Sequence, residues 1–149
     1  MPRIYRASSP EIQIPERSLF TQVFAKNWDP SLPAYIDAPT GFTLTRGDVY
    51  NQSLQFAWGL RNVLGQKKKD IMAIFSPNSI QWPILLLGGI AAGMRITTVN
   101  SSYTPPELLH QLSVRGWITL FHISVSSECL FTGQWCLLHL HPPRLSSQC

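Results

Sequence analysis

From residue 34 the chain alternates short apolar runs with amphipathic stretches, and this alternation carries most of its structural message. Two short extended segments within Ala34–Thr45 flank Pro39-Thr40-Gly41, a turn signal that predicts a hairpin. Thr45 stands where a helix N-cap belongs, and Asp48 occupies the position a capping box uses. Tyr50, Leu54, Ala57, Leu60 and Leu64 follow at spacings of four and three, predicting one apolar stripe on a helix that ends near Gly65. Asp70–Ser76 is a short apolar run suited to a buried strand. Pro77-Asn78-Ser79 then makes a turn, with Asn78 or Ser79 as the cap of a second helix that tolerates Pro83 only near its start. That helix closes at Gly93, Arg95–Asn100 forms the next strand, and Thr104-Pro105 opens a further helix. The unit is β-α-β, which predicts a parallel pair with a right-handed crossover.

The pattern divides the chain into three parts. Residues 1–33 are punctuated by Pro2, Pro10, Pro15, Pro30 and Pro33 and predict an extended arm, with one short helix in Arg17–Asn27. Residues 34–116 are the organised part. Residues 117–149 carry only Glu128 and Arg144 as charges, against 18 charges in the preceding 116 residues. Trp117–Val125 has strand propensity. Beyond it there is no helical periodicity, and this segment reads as a divergent, irregular tail.

Composition narrows the class. The 149 residues are 44% hydrophobic, enough for a core, and the formal charge of +4 is mild. Lys67-Lys68-Lys69 precedes a strand and reads as a solvated turn, without the interleaved aromatics of a nucleic-acid surface. The longest apolar run, Trp82–Met94, has 13 residues, which predicts a buried helix and no membrane span. The amino terminus carries charges and prolines where a secretory signal needs an apolar stretch. Cys129, Cys136 and Cys149 all lie near the carboxyl end, so a disulfide framework is not expected and a cytoplasmic location is. The chain ends Ser147-Gln148-Cys149, which is not a peroxisomal address.

Candidate chemistry is sparse. Gly88, Gly89 and Gly93 lie in or at the end of a helix, not in a strand-to-helix turn where phosphate would sit, and read as close packing on a sheet. Ser76-Pro77-Asn78-Ser79 does occupy such a turn and reads as capping, with ligand contact as the alternative. Cys129, Cys136, His139 and His141 give C-x6-C-x2-H-x-H, which is not a usual zinc spacing. His110 reads as a solvent-facing helix residue. Asp37, Asp48, Asp70 and Glu107 are too dispersed to propose a carboxylate pair. No catalytic, cofactor-binding or metal-ligating residue is assigned.

The elements "DAPTG", "GLR", "IFSPNS", "AAG", "TTVN" and "YTPPELLHQL", together with the arm "IYRASSPEIQIPERSLFTQVF", resemble the amino-terminal region of the AMP-forming acyl-CoA synthetases. The closest look is to the 4-coumarate–CoA ligase-like branch common in fungi and plants. The likeness covers roughly residues 4–116. One departure is Lys69-Asp70, where the family usually carries Gly-Asp. The resemblance implies part of an α/β adenylate-forming domain and a parent reaction using ATP, Mg2+ and coenzyme A. A carboxylic acid is joined to ATP, and the thiolate of coenzyme A then displaces AMP. The family's phosphate loop, "SSGTTGLPKG"-like, has no counterpart here, so the chain is expected to bind none of these cofactors and to be inactive alone. A lost frame or retained intron near codon 116 accounts for such a chain. The alternative is a small non-catalytic interaction module, self-associating or pairing with a full-length relative through exposed apolar faces.

Overall fold

The computed structural model describes residues 13–25, 28–113, 118–122, 136–141 and 144–145. The arm is tied down by one turn of helix, α1 (Leu19–Val23), whose N-cap Ser18 accepts the Thr21 N–H at 3.1 Å. Phe20 is buried with Leu44, Val49, Ile84 and Leu87, and the rings of Phe20, Phe24, Trp28 and Tyr50 lie 4.9–5.6 Å apart. Aromatic area offsets the ordering of a proline-rich segment that has little regular hydrogen bonding.

The expected hairpin forms from β1 (Pro33–Ile36) and β2 (Thr43–Thr45), paired antiparallel. Its turn is closed by the Gly41 N–H on the Asp37 carbonyl at 2.7 Å, with Gly41 at φ +72° and the Thr40 hydroxyl bonded to the Asp37 carboxylate. Helix α2 (Arg46–Asn62) follows at once. Its capping box is complete: Thr45 Oγ1 accepts the Asp48 N–H at 3.1 Å, and the Asp48 carboxylate accepts the Thr45 N–H at 2.9 Å.

The buried face of α2 departs from the expected stripe. Val49, Ser53, Ala57 and Leu60 are buried, whereas Leu54 is 40% exposed. The reason lies in α3 (Trp82–Ala91), which packs against α2 through Gly88. A Cβ on Gly88 would stand 2.7 Å from the Ser53 carbonyl oxygen. So close an approach of two helices requires a small residue at position 53, and a serine is invisible to a search for apolar spacing.

Strands β3 (Ile71–Phe75), β4 (Arg95–Val99) and β5 (Ile118–His122) form a parallel trio in the order β4-β3-β5, in agreement with the expected β-α-β unit. β6 (Cys136–His141) and β7 (Arg144–Leu145) add antiparallel to the β5 side. Thus β5 lies within the segment of strand propensity at Trp117–Val125, and backbone from the expected tail extends the sheet. Met72 and Ile74 pack with Leu60 and Leu85 on the α2–α3 face. Ala73, flanked by Ile71 and Phe75, packs with Leu112 of α4 (Pro105–Ser113) on the other. The two-residue alternation of the strand therefore separates two cores.

Helix α3 begins later than the cap reading placed it. Its N-cap is Gln81, which makes no side-chain cap bond, and neither Asn78 nor Ser79 caps it. The Ser79 main-chain carbonyl, not its hydroxyl, takes the Trp82 N–H at 3.1 Å, and Pro83 at the first turn has no N–H for a side-chain cap. The helix ends in a Schellman arrangement: Met94 N–H on Gly89 O at 3.0 Å, Gly93 N–H on Ile90 O at 2.9 Å, and Gly93 at φ +78°.

Candidate functional site

The chain leaves β3 toward α3 on one face of the sheet and leaves β4 toward α4 on the other. The two outgoing loops therefore diverge, and they open a crevice above the carboxyl ends of β3 and β4. In open α/β sheets this is where ligands bind. Ser76, Pro77, Asn78 and Trp82 line one side, and Thr98 to Ser101, Tyr103 and Gln111 line the other.

Local hydrogen bonds hold both walls. Ser76 is buried, and its Oγ donates to the Pro77 carbonyl at 2.8 Å. Asn100 Oδ1 accepts the Ser102 N–H at 3.0 Å, and its carbonyl accepts the Tyr103 N–H at 3.1 Å. Gln111 Nε2 donates to the Thr98 carbonyl at 3.1 Å, which ties α4 to the open edge of β4. Ser79 Oγ is buried without a hydrogen-bond partner among the described residues. The lining offers amides, hydroxyls and two aromatic faces. Among the described residues that line it there is no carboxylate, imidazole, thiol or amine.

The residues weighed from sequence do not converge. Gly88 packs on α2, and Gly89 packs on the sheet, where its added Cβ would lie 2.5 Å from Ile96 Cδ1 and 2.6 Å from Met72 Cε. Their backbone is covered and cannot cradle a phosphate. His110 is exposed on α4. Glu107 reaches back to the Thr104 N–H at 2.8 Å and hydroxyl at 2.7 Å, and those bonds hold its carboxyl below the ordinary range. Asp48 is lowered in the same way by the Thr45 hydroxyl and N–H, and Asp29 by the Ser31 hydroxyl and N–H. Asp70 accepts the Lys67 N–H at 2.6 Å. These carboxylates stabilise turns and helix starts, each separately. Among the described residues no three His, Cys, Asp or Glu side chains are placed to hold a metal. Cys129 lies outside the described residues; Cys136, His139 and His141 fall on the backbone of β6. No helix among the described residues is long and apolar enough to cross a membrane.

The β3–α3 turn has no glycine, and no glycine-rich loop ending in lysine occurs in the chain. Sequence reasoning singled out one wall, the Ser76–Ser79 turn, and missed the other because its residues are neutral and common; the reversal of strand order at β3 brings the two together.

Comparison with known proteins places this geometry. The family model described as AMP-binding enzyme matches residues 22–134, so the match continues past residue 116, where the sequence likeness was expected to cease. A long-chain-fatty-acid–CoA ligase of Yersinia pestis is 40% identical over 92 residues, covering 62% of this chain and 16% of that protein. The 4-coumarate–CoA ligase-like 3 protein of Oryza sativa subsp. japonica is 31% identical over 118 residues, covering 76% of this chain and 20% of that protein. Among solved structures, a Mycobacterium tuberculosis fatty acyl CoA synthetase superposes with a TM-score of 0.59 at 24% identity, over 69% of this chain and 19% of that one. Apo MatB from Rhodopseudomonas palustris gives 0.61 at 19% identity, over 70% and 25%. The chain thus spans about a fifth of the length of these relatives. By the extent of the family match, the chain belongs to the AMP-binding enzyme family, within which it corresponds to the amino-terminal portion of the acyl-CoA ligases.

Proposed function

We propose that this chain is the amino-terminal scaffold of an ATP-dependent acid–CoA ligase and that, by itself, it does not activate an acid. The parent reaction joins a carboxylic acid to ATP with release of pyrophosphate, then passes the acyl group to the thiol of coenzyme A. The observation that carries the reading is the use of the α3 glycines in packing, together with a crevice whose described lining holds no carboxylate, imidazole or cationic side chain. Neutralising a triphosphate needs cations and free backbone N–H groups aimed at it. A 4-coumarate-ligase-like placement is supported by the longer match, 118 residues against 92, and opposed by its lower identity, 31% against 40%. The substrate is therefore written at the level both share, a carboxylic acid. A cytoplasmic location belongs to this reading, on the compositional ground that the first 128 residues hold no cysteine. An origin of the last residues in a lost frame or retained intron near codon 116 belongs to it too, although the family match running to residue 134 speaks against a junction at that point.

The test is ATP–pyrophosphate exchange by the full chain with a panel of aromatic and fatty acids. Background exchange is expected. Exchange that survives repurification overturns the reading. A second reading, an interaction module, has its own observation: every residue of β1 is exposed, and Ile36 and Phe42 on the hairpin are 66% and 58% exposed. A stoichiometric complex between this chain and a full-length ligase would favour it.

A further inference from the structure

The other end of the sheet is chemically unlike the crevice. Between Asp48 and Glu107 the chain contains one acid, Asp70, and its carboxylate is engaged by the Lys67 N–H. The same stretch contains Arg61, Lys67, Lys68, Lys69 and Arg95, all exposed. The fold gathers them. Arg61 is in the last turn of α2, and the lysines form the turn that leads into β3. Lys69 N–H bonds the Gly93 carbonyl at 2.9 Å, and Arg95 N–H bonds the Asp70 carbonyl at 2.8 Å, so the turns before β3 and β4 are laced together. The stem of Lys68 lies along Gly93.

Beside these cations α2 presents apolar groups to solvent. Leu54 and Trp58, one turn apart, are 40% and 63% exposed, and Val63 at the helix end is 70% exposed. Arg61 lies one turn beyond Trp58 on the same side of the helix.

We propose that this amino edge of the sheet, with the outer face of α2, docks on an anionic lipid bilayer surface. Five cations with a single engaged acid complement a negative surface potential. A partly exposed tryptophan flanked by leucine and valine suits the boundary between headgroups and acyl chains, where an aromatic ring with one polar atom is favoured. A nucleic acid would favour aromatic rings set among the cations for base stacking; here the single ring is grouped with aliphatic side chains.

The experiment is co-sedimentation of the full chain with phosphatidylcholine vesicles, with and without phosphatidylglycerol, at low and high salt. Binding is expected only to the anionic vesicles and is expected to weaken at high salt. Combined Lys67→Gln, Lys68→Gln and Lys69→Asn should weaken it on the order of 100-fold, from the worth of each cation near such a surface. Arg61→Gln, which leaves the lysine turn untouched, should weaken it several-fold, and Trp58→Ser should weaken it at unchanged charge. Equal binding to neutral and anionic vesicles, no binding to either, or undiminished binding by the charge variants overturns the proposal. So does retention of a single-stranded oligonucleotide by a chain that ignores vesicles.

Discussion

Two parts of the molecule need glycine-like backbone for different reasons. In the middle of α3, Gly88 and Gly89 have ordinary helical angles, but there is no room for a side chain. In the laced turns ahead of β3 and β4 there is more room, but the backbone is left-handed: Gly93 at φ +78° and Lys69 at φ +76°. At Gly88 the helix meets backbone, the Ser53 carbonyl oxygen; at Gly89 it meets side-chain ends. One of the turns accepts a lysine where the ligase family usually has glycine. The cost of excluded volume depends on whether the neighbour can move, whereas an unfavourable dihedral has a bounded cost of about 1–2 kcal/mol.

The largest effect is expected where the obstacle is backbone. Gly88→Ala drives its Cβ to 2.7 Å from both the Ser53 carbonyl oxygen and Phe56 Cδ1, so α2 and α3 must separate. A loss of about 3 kcal/mol is expected, at the top of the overpacking range. Gly89→Ala meets only the terminal atoms of Ile96 and Met72, which can turn aside, and should lose about 1–2 kcal/mol. Urea unfolding of both variants checks the order. Equal losses would mean that α2 and α3 slide apart as easily as a methionine turns.

The turns should respond in opposite directions. Gly93→Ala introduces strain and a contact of 3.0 Å with Lys68 Cγ, and a loss of about 1–2 kcal/mol is expected. Lys69→Gly removes strain of the same kind but adds unfolded-state freedom, so a net gain of about 0.5–1 kcal/mol is expected. If Lys69→Gly destabilises, the lysine contributes a contact that outweighs its dihedral, and the parallel drawn between the two turns fails.

Much of this was legible in the sequence, and each failure has its own cause. The hairpin turn, the Thr45–Asp48 box, the β-α-β unit and the Gly93 helix end are each set by a few neighbouring residues, so local chemistry predicts them. Ser53 was missed because its burial answers Gly88, thirty-five positions away in the chain and in contact only in the fold. Asn78 and Ser79 suited a cap by type, but Pro83 moved the helix start. Of the crevice only the Ser76–Ser79 wall was legible: its other wall follows from strand order, and β5, which makes β3 a reversal point, lies in the segment that carries the weakest pattern.

The smallest effect separates a full capping box from a half one. At α2 the Thr45 hydroxyl accepts the Asp48 N–H while Asp48 bonds Thr45 in return; at α4 only the Glu107 arm of that exchange is made, with the Thr104 hydroxyl donating to it. Both acids are held below their ordinary values by those bonds, the side-chain hydroxyl contributing most. A depressed folded-state value means that the contribution is present above the unfolded value and is lost as pH falls through the folded one. Asp48→Asn and Glu107→Gln should therefore each be less stable than the parent at neutral pH, and the differences should close in acid, below the usual carboxylate range. Thr45→Ala should cost about 1 kcal/mol at neutral pH and keep part of that cost in acid, because it also removes an uncharged bond to the Asp48 N–H. Thr104→Ala, which loses only the bond to the carboxylate, should lose its whole effect in acid. Thermal melts of the four variants across pH decide it: a Thr45→Ala difference that vanishes with pH would reduce the full box to the half one.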